Sequence, residues 1–400
     1  MIITIHRGQN QIGGSIVEVS SDTTRIIFDA GFELDKQDQD APKIEGLFYG
    51  KASYDAVIIS HYHGDHIGLC DKILPEIPVY IGEAASRVIH AARSYCNKPD
   101  YCFTAYYESD KPLAIGDIVI TPYLCDHSAF DAYMFHVACN GKTLLYTGDF
   151  RSNGRKNFQA MLRKIPPCDV LITEGTKLSQ TDTGVINRTE CNLEEDAYQL
   201  IRDTSGPVFF LMAGTNIDRL VSIYKATCKA ARTLLLDVYL AAVSSAAGGS
   251  IPHPNTFRNI RVFETNNDPR QYSQLQSYGE AKIGRESIAK IRFVMCVRSS
   301  MRTYLDKLSP LMSFENGLLI YSMWNGYKDK EDMASFLEFI QKKGIKVVCL
   351  HVSGHADAET IDALIQKVQP SAIIPVHTIN SSWFDRYHDI HIERRKMHTF

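Results

Sequence analysis

The stretch His61-Tyr62-His63-Gly64-Asp65-His66 places three imidazoles and a carboxylate within six residues. Side chains of these kinds repel one another or compete for donors unless a cation organises them, whereas a lone core histidine needs no such explanation. Imidazole nitrogen with carboxylate oxygen is a donor set for zinc, and also for manganese or iron. The stretch follows an apolar run and reads as a loop at a strand end, the context such a motif requires. Side chains along extended backbone alternate in direction, so four donors on one loop cannot all reach one tetrahedral ion. Two adjacent ions are the expected outcome.

Further donors must then come from other parts of the chain. Strand-end positions offer His127 in Cys125-Asp126-His127-Ser128, Asp149 in Tyr146-Thr147-Gly148-Asp149, and His377 in Ile374-Pro375-Val376-His377. Taken singly, each is a weak signal, since an isolated histidine after a strand is more often a hydrogen-bonded core or surface residue than a ligand.

The positioning elements are short strands: Ser15 to Ser20, Arg25 to Asp29, Asp55 to Ser60, Val79 to Ile81, Asp117 to Pro122, Ala132 to Val137, Thr143 to Thr147 and Asp169 to Thr173. Three of them finish in or beside a donor, at Ser60-His61, Gly148-Asp149 and Thr173-Glu174. Loops after strand ends on a rigid scaffold are where catalytic groups are carried. From about Glu194 the rhythm becomes helix (194–204), strand (207–212), helix (216–230), strand (233–238), which predicts a parallel α/β unit. Ser244 to Glu286 reads as loops with little regular structure. Strands return at Ile291 to Val297, Gly317 to Tyr321 and Ile345 to His351, followed by a helix over 357–368 and a strand at Ala372 to Val376.

Composition bounds the rest. At 400 residues the chain exceeds what one core usually serves, so two domains or a large insertion is expected. With 44% hydrophobic and 22% charged residues it is an ordered globular sequence. Its apolar runs are shorter than the roughly 20 residues that a spanning helix needs, and no leader pattern opens it. The ten cysteines form no CxxC pair, which fits reduced thiols and a cytoplasmic location. A formal charge of −3 gives no global field to attract nucleic acid, so a polyanion must be held locally. The basic run Glu393-Arg394-Arg395-Lys396 reads more simply as solvated tail than as a ligand contact.

The order Asp29-Ala30-Gly31, the HxHxDH at 61–66, His127 and Gly148-Asp149 resembles the successive motifs of the metallo-β-lactamase superfamily over the first 175 residues. Glu174 in Thr173-Glu174-Gly175-Thr176, His355 in His351-Val352-Ser353-Gly354-His355-Ala356, and His377 in Pro375-Val376-His377 look like the three motifs of the β-CASP nucleases, most like ribonuclease J. The resemblance implies an α/β fold, a metallo-β-lactamase αββα sandwich with an inserted α/β β-CASP domain. The sandwich would occupy 1–194 and 346–400, and the insertion 195–345.

By that resemblance His61, His63 and His127 bind one zinc ion, Asp65, His66 and His377 the other, and Asp149 bridges them, with manganese as the alternative metal. Two ions lower the pKa of a shared water towards about 7 and clamp a phosphodiester for in-line attack. The residues assigned to catalysis are Asp65, His355 and Glu174. His355 protonates the leaving oxygen, and Glu174 favours its charged form and fixes its tautomer. Asp29 either accepts a hydrogen bond from a ligand histidine or supports the strand end. Ser353 and Gly354 either cradle a phosphate through backbone N–H groups at the start of the following helix, or Ser353 simply caps that helix. The implied products are a 5′-phosphate and a 3′-hydroxyl. A histidine at the third β-CASP motif resembles the RNA-cleaving branch, so RNA is the preferred partner, with single-stranded DNA second and no membrane partner.

The match departs from the family in two places. The chain stops 23 residues after His377, where ribonuclease J proteins carry a further domain, so dimerisation is not carried over. The Gly-rich phosphate string is replaced by Phe293-Val-Met-Cys-Val-Arg298-Ser-Ser-Met301, in which Arg298, Ser299 and Ser300 bind phosphate or a serine caps a helix. Two rival readings stay open: a metallo-β-lactamase-fold hydrolase of a small ester, lactone or phosphodiester, and a non-catalytic RNA-binding homologue. Endo or exo mode, oligomeric state and pathway are not legible.

Overall fold

Short apolar runs interrupted by turns predict strands in the first 175 residues, and the strands found there, joined by three from residues 372–399, form two seven-stranded sheets. The computed structural model describes residues 1–34, 40–179, 188–266 and 268–400. It divides into one unit of Met1–His90, Pro99–Val185 and Gly354–Phe400 and a second of Ala91–Lys98 and Ile186–Ser353.

In the first unit, one sheet runs in spatial order Met397–Thr399, Ile2–Arg7, Ile16–Ser20, Arg25–Phe28, Ala56–Ile58, Val79–Gly82, Ala105–Tyr107. Its first four strands pair antiparallel and the rest parallel. The other sheet runs His391–Ile392, Ala372–Pro375, Val170–Thr173, Lys142–Tyr146, Ala132–Cys139, Ile118–Cys125, Leu113–Ile115. Alternate residues of the two sheets share one core: Ile3, Val17, Val19, Ile26, Phe28 and Ile58 with Ile118, Ile120, Phe135, Val137, Leu144, Val170, Ile172 and Ile374. Each side chain removed from water in this way contributes about 1.5–3 kcal/mol. The second sheet's opposite face, through Met134, Leu145, Leu171 and Ile373, packs with Phe158, Met161 and Leu162 of helix Phe158–Lys164 and with Ile361, Leu364 and Ile365 of helix Ala358–Val368. The result is an α/β sandwich whose strand ends carry the chemistry.

The second unit has six parallel strands in the order Ile260–Phe263, Thr233–Asp237, Phe293–Val297, Val208–Leu211, Leu318–Tyr321, Lys346–Cys349. Both faces are buried, as crossover helices require. Phe210, Leu234, Leu236, Val294 and Ile320 meet Leu193, Ala197, Leu220 and Ile223 on one side. Phe209, Leu235, Met295 and Leu319 meet Leu305, Leu308, Phe336 and Ile340 on the other.

The expectation of loops over 244–286 fails in part. That stretch ends helix Val238–Ala247 and contains strand Ile260–Phe263 and helix Pro269–Ser277. Val238 to Ala247 is apolar or small at almost every position, so it shows no polar face from which a helical period could be read. Helices Glu83–Tyr95 and Glu331–Lys342 were not anticipated either. The serine caps considered for two turns are also absent. Asp357 caps Ala358–Val368 by accepting from Thr360 N at 2.9 Å, so Ser353 lies well before the helix start. Helix Arg302–Leu308 has no side-chain cap, and Ser299 Oγ instead donates to Asp332 at 2.9 Å. In the tail, Arg394 pairs with Asp385 and Arg395 with Glu393.

Candidate metal centre

The loop after Ala56–Ile58 changes conformation midway. His63 is extended (φ −69°, ψ 147°), and Gly64–Ile67 closes one turn of helix. His61 and His63 therefore leave the backbone in different directions from Asp65 and His66. The turn is clamped by the segment that follows Arg25–Phe28, where Ala30 N donates to His66 O at 2.7 Å and Phe32 N to Gly64 O at 2.9 Å, and by Ser15 just before Ile16–Ser20, whose N donates to Asp65 O at 3.0 Å. Gly31 allows this approach, because a Cβ there would lie 1.6 Å from Asp65 O.

Three groups of donors converge. His61, His63, His127 and Asp149 form the first, Asp65, His66, Asp149 and His377 the second, and Asp149, Glu174, His355 and His377 an overlapping third, each with its donor atoms within 4.8 Å of one another. In the first, His127 Nε2 lies 3.0 Å from His63 Nδ1, while Asp149 Oδ2 lies 3.8 Å from His61 Nε2 and 3.9 Å from His127 Nε2. In the second, His377 Nε2 lies 3.0 Å from Asp65 Oδ2, and Asp149 reaches His66 Nε2 at 3.3 Å and His377 Nε2 at 3.7 Å. Asp149 is common to all three groups.

Among the described residues, His61 Nε2, His66 Nε2 and both carboxylate oxygens of Asp149 are buried with no well-formed hydrogen bond, although Asp149 Oδ2 lies 3.3 Å from His66 Nε2. A buried carboxylate with no donor is costly unless a cation compensates it. These four atoms aim at the same place as their neighbours' nitrogens, so the residues fit metal ions of the kind that nitrogen and oxygen donors select.

The electrostatics agree. Burial, reinforced by neighbouring imidazoles, holds His61 and His127 well below the ordinary histidine range, and burial brings His63 down to about 4, so their nitrogens keep lone pairs to offer. Burial opposes a charge on Asp149, but His377 and His66 outweigh it and keep the carboxyl far below its usual range. On His66 burial again loses, to the carboxylates of Asp149 and Asp29, and the imidazole is pushed well up. A cation between these groups would take over the positive charge they draw in.

Around the donors lies a set of orienting groups. Asp29, held at φ +61°, a conformation aspartate tolerates, accepts from His66 Nδ1 at 2.8 Å, Ser60 N at 2.7 Å, Ser60 Oγ at 2.8 Å and Tyr146 OH at 2.6 Å. His127 Nδ1 donates to Gly354 O at 2.6 Å, and Thr176 Oγ1 lies 2.8 Å from His377 Nδ1. Below His127, buried Arg151 donates to Asp126 Oδ1 at 2.7 Å. Ser60, Thr176, Tyr146 and Arg151 were missed in the sequence. Ser60, Thr176 and Tyr146 each lie within the strings quoted around His61, Glu174 and Asp149, yet none was given a role.

Glu174 and His355 also meet. His355 Nδ1 is 2.9 Å from Glu174 Oε2 and 3.5 Å from Asp149 Oδ2. Phe150 N donates to Glu174 Oε1 at 2.9 Å, which fixes the carboxylate. Burial disfavours charging His355, yet Glu174 and Asp149 prevail and push its pKa up to about 9. Gly354 is packed against Ser128, and neither it nor Ser353 opens a helix.

Residues 24–212 match a beta-lactamase superfamily domain, and residues 344–381 match a Zn-dependent metallo-hydrolase RNA specificity domain. Among curated proteins, the chain is 22% identical over 365 residues to a ribonuclease J of Sinorhizobium meliloti, covering 87% of this chain and 62% of that protein. It is 21% identical to ribonuclease J of Helicobacter pylori (94% and 55% covered) and 24% identical to an RNase J-like protein of Methanocaldococcus jannaschii (94% and 92%). The chain thus spans 62% and 55% of the first two relatives. A crystal structure of a protein of unknown function from Enterococcus faecalis V583 superposes with a TM-score of 0.82 at 21% identity over 100% of this chain and 99% of that one, which shows a shared fold.

Proposed function

We propose that this chain, which carries a metallo-β-lactamase domain and an RNA specificity domain, is a metal-dependent phosphodiesterase that hydrolyses RNA to 5′-phosphate and 3′-hydroxyl ends. The observation that carries the reading is Asp149, a buried carboxylate at the junction of two histidine-rich donor groups, whose nearest side-chain partners among the described residues are imidazole nitrogens 3.3–3.9 Å away. In this reading His61, His63 and His127 hold one zinc ion, Asp65, His66 and His377 a second, and Asp149 both, with manganese as the alternative. When bound, such a pair supplies a nucleophilic water near neutral pH and neutralises the charge that develops on a phosphodiester.

The chain's own residues orient and protonate. Asp29 accepts from His66 Nδ1, leaving Nε2 for the centre, and Gly354 O does the same for His127. His355, charged through the carboxylates beside it, is the acid for the leaving oxygen, and Glu174 positions it. Plain ester or lactone hydrolysis does not call for this pair, which favours a phosphodiester over the small-ester reading. Ser353 and Gly354 enter as phosphate contacts through loop backbone. The domain reading is that 195–345 is a β-CASP insertion and 346–400 completes the sandwich.

The test is a substrate panel of RNA, single-stranded DNA, a lactone and bis-p-nitrophenyl phosphate, run with wild type and an Asp65→Ala, His66→Ala double variant, beside elemental analysis. RNA cleavage by wild type alone, with about two metal ions per chain, is expected. Lactone turnover without RNA cleavage, or equal cleavage by both proteins, refutes it.

A further inference from the structure

Strand Leu318–Tyr321 of the second unit leads into Ser322-Met323-Trp324-Asn325-Gly326-Tyr327-Lys328-Asp329-Lys330. Trp324 is 54% and Tyr327 36% exposed, and their rings meet at right angles with centroids 5.5 Å apart. Single exposed aromatics are ordinary. What distinguishes this pair is how firmly it is held out to solvent.

The indole is seated against bare backbone, since a Cβ on Gly326 would lie 2.2 Å from its ring carbons. Trp324 O accepts from Tyr321 OH at 3.0 Å and from Tyr327 N at 3.1 Å. The entry to the segment is fixed by Arg219, which donates to Ser322 O at 3.0 Å while paired with buried Glu190 at 2.9 Å. Lys330 Nζ sits 4.9 Å from the Tyr327 ring centroid. The segment leaves the carboxyl end of a parallel strand, the edge at which doubly wound sheets hold their ligands. The neighbouring loop after Phe293–Val297 is tied to the helix that follows, through Ser299 Oγ and Asp332.

Local charge decides between possible occupants. Lys328 and Lys330 are offset by Asp329, Glu331 and Asp332, so the patch attracts neither a phosphate backbone nor an anionic membrane strongly. With the two rings at right angles and the Lys330 ammonium over the Tyr327 ring, the exposed indole of Trp324 is the flat surface left to a ligand; it suits the face of a nucleobase, and stacking of this kind tolerates any sequence. Bases within a duplex are already stacked and offer no free face.

We infer that Trp324, buttressed by the perpendicular ring of Tyr327, forms a stacking platform for an unpaired base of the RNA strand. The inference rests on the RNA reading of the metal centre for the identity of its occupant. The platform supplies affinity for the strand and takes no part in bond cleavage.

The test uses the full chain. With Trp383→Phe, Trp324 becomes the only tryptophan of a chain that has two, so its fluorescence reports stacking directly. A short single-stranded RNA should quench it, and a duplex of the same sequence should not. Trp324→Ala should weaken single-strand binding and raise KM by roughly 5- to 100-fold, equally at low and high salt. Trp324→Phe should restore most of the loss, and turnover of bis-p-nitrophenyl phosphate should not change. Absence of quenching with unaltered RNA affinity in Trp324→Ala overturns the platform, even if the wild type cleaves RNA. RNA that quenches Trp324 but is never cleaved overturns the nuclease reading and leaves the platform standing. A wild type that neither binds nor cleaves RNA overturns both.

Discussion

Gly31→Ala is the sharpest perturbation the metal centre offers, because it touches no donor atom. A methyl group there would lie 1.6 Å from Asp65 O, 2.0 Å from Asp65 C and 2.7 Å from His66 N. An ordinary contact needs about 3.5 Å, so the two segments must separate by roughly 2 Å. Neither yields easily, since Ala30 N to His66 O, Phe32 N to Gly64 O and Ser15 N to Asp65 O tie them together. The strain falls on the turn that carries Asp65 and His66, and about 1 Å of misplacement at a reacting centre costs on the order of 100-fold in rate. We expect Gly31→Ala to lose at least that factor on bis-p-nitrophenyl phosphate and to bind the second metal equivalent about 10–100-fold more weakly. The global stability cost should be only about 1–3 kcal/mol. Zinc titration calorimetry, elemental analysis and thermal unfolding separate these effects. Gly249→Ala, with nothing within 4 Å of the added methyl, is the neutral control. Wild-type metal affinity and rate in Gly31→Ala would refute the view that this close approach aims Asp65 and His66.

Asp29→Asn keeps the side-chain shape and the left-handed backbone but loses the charge facing His66 Nδ1. Metal affinity by calorimetry should drop about 10–100-fold, and an unchanged value would remove Asp29 from the orienting set. His355→Ala should lose about 100- to 10,000-fold in RNA hydrolysis with metal content intact, whereas lost metal would make His355 a ligand, as its place in the third donor group allows. Glu18 predicts an acid transition in stability. Burial opposes its charge, but hydrogen bonds from His6, Arg25 and Tyr54 prevail and bring its pKa from 4.5 to about 2. A carboxylate depressed in the folded state stabilises above the unfolded pKa, and the gain disappears as pH falls from 4.5 to about 2. The gain is on the order of 3 kcal/mol. Urea unfolding between those values should be steeper in pH for wild type than for Glu18→Gln, and parallel curves would count against the network.

The loop at 61–66 was legible because its donors are adjacent in sequence and chemically unlike ordinary core residues. Its partners were not legible from spacing. His127, Asp149 and His377 each look commonplace, and it was the order of motifs that singled them out. The structure brings all three to the same place through strand ends of one sheet. Ser60, Thr176 and Tyr146 escaped notice since neutral hydroxyls carry no metal signature in a one-dimensional reading. The left-handed backbone at His377 (φ +52°) escaped as well, for it arises from strand placement and from the bond of His377 N to Gly8 O. The alternating helix and strand of the second unit were visible from periodicity, except where an all-apolar helix erased the period. Strand order, with Phe293–Val297 inserted between Thr233–Asp237 and Val208–Leu211, depends on crossovers that no local pattern encodes.

Strand Val170–Thr173 pairs in parallel with Ala372–Pro375, a partner that the ribosome delivers about 200 residues later. Until then the edge of Val170–Thr173 stands open, and His377, which follows that partner strand, has not been made. A growing copy therefore lacks the last imidazole of its second donor group and, for most of that interval, His355 as well. On the ribonuclease reading proposed above, an unfinished copy is therefore expected to leave RNA intact, the message still encoding it included.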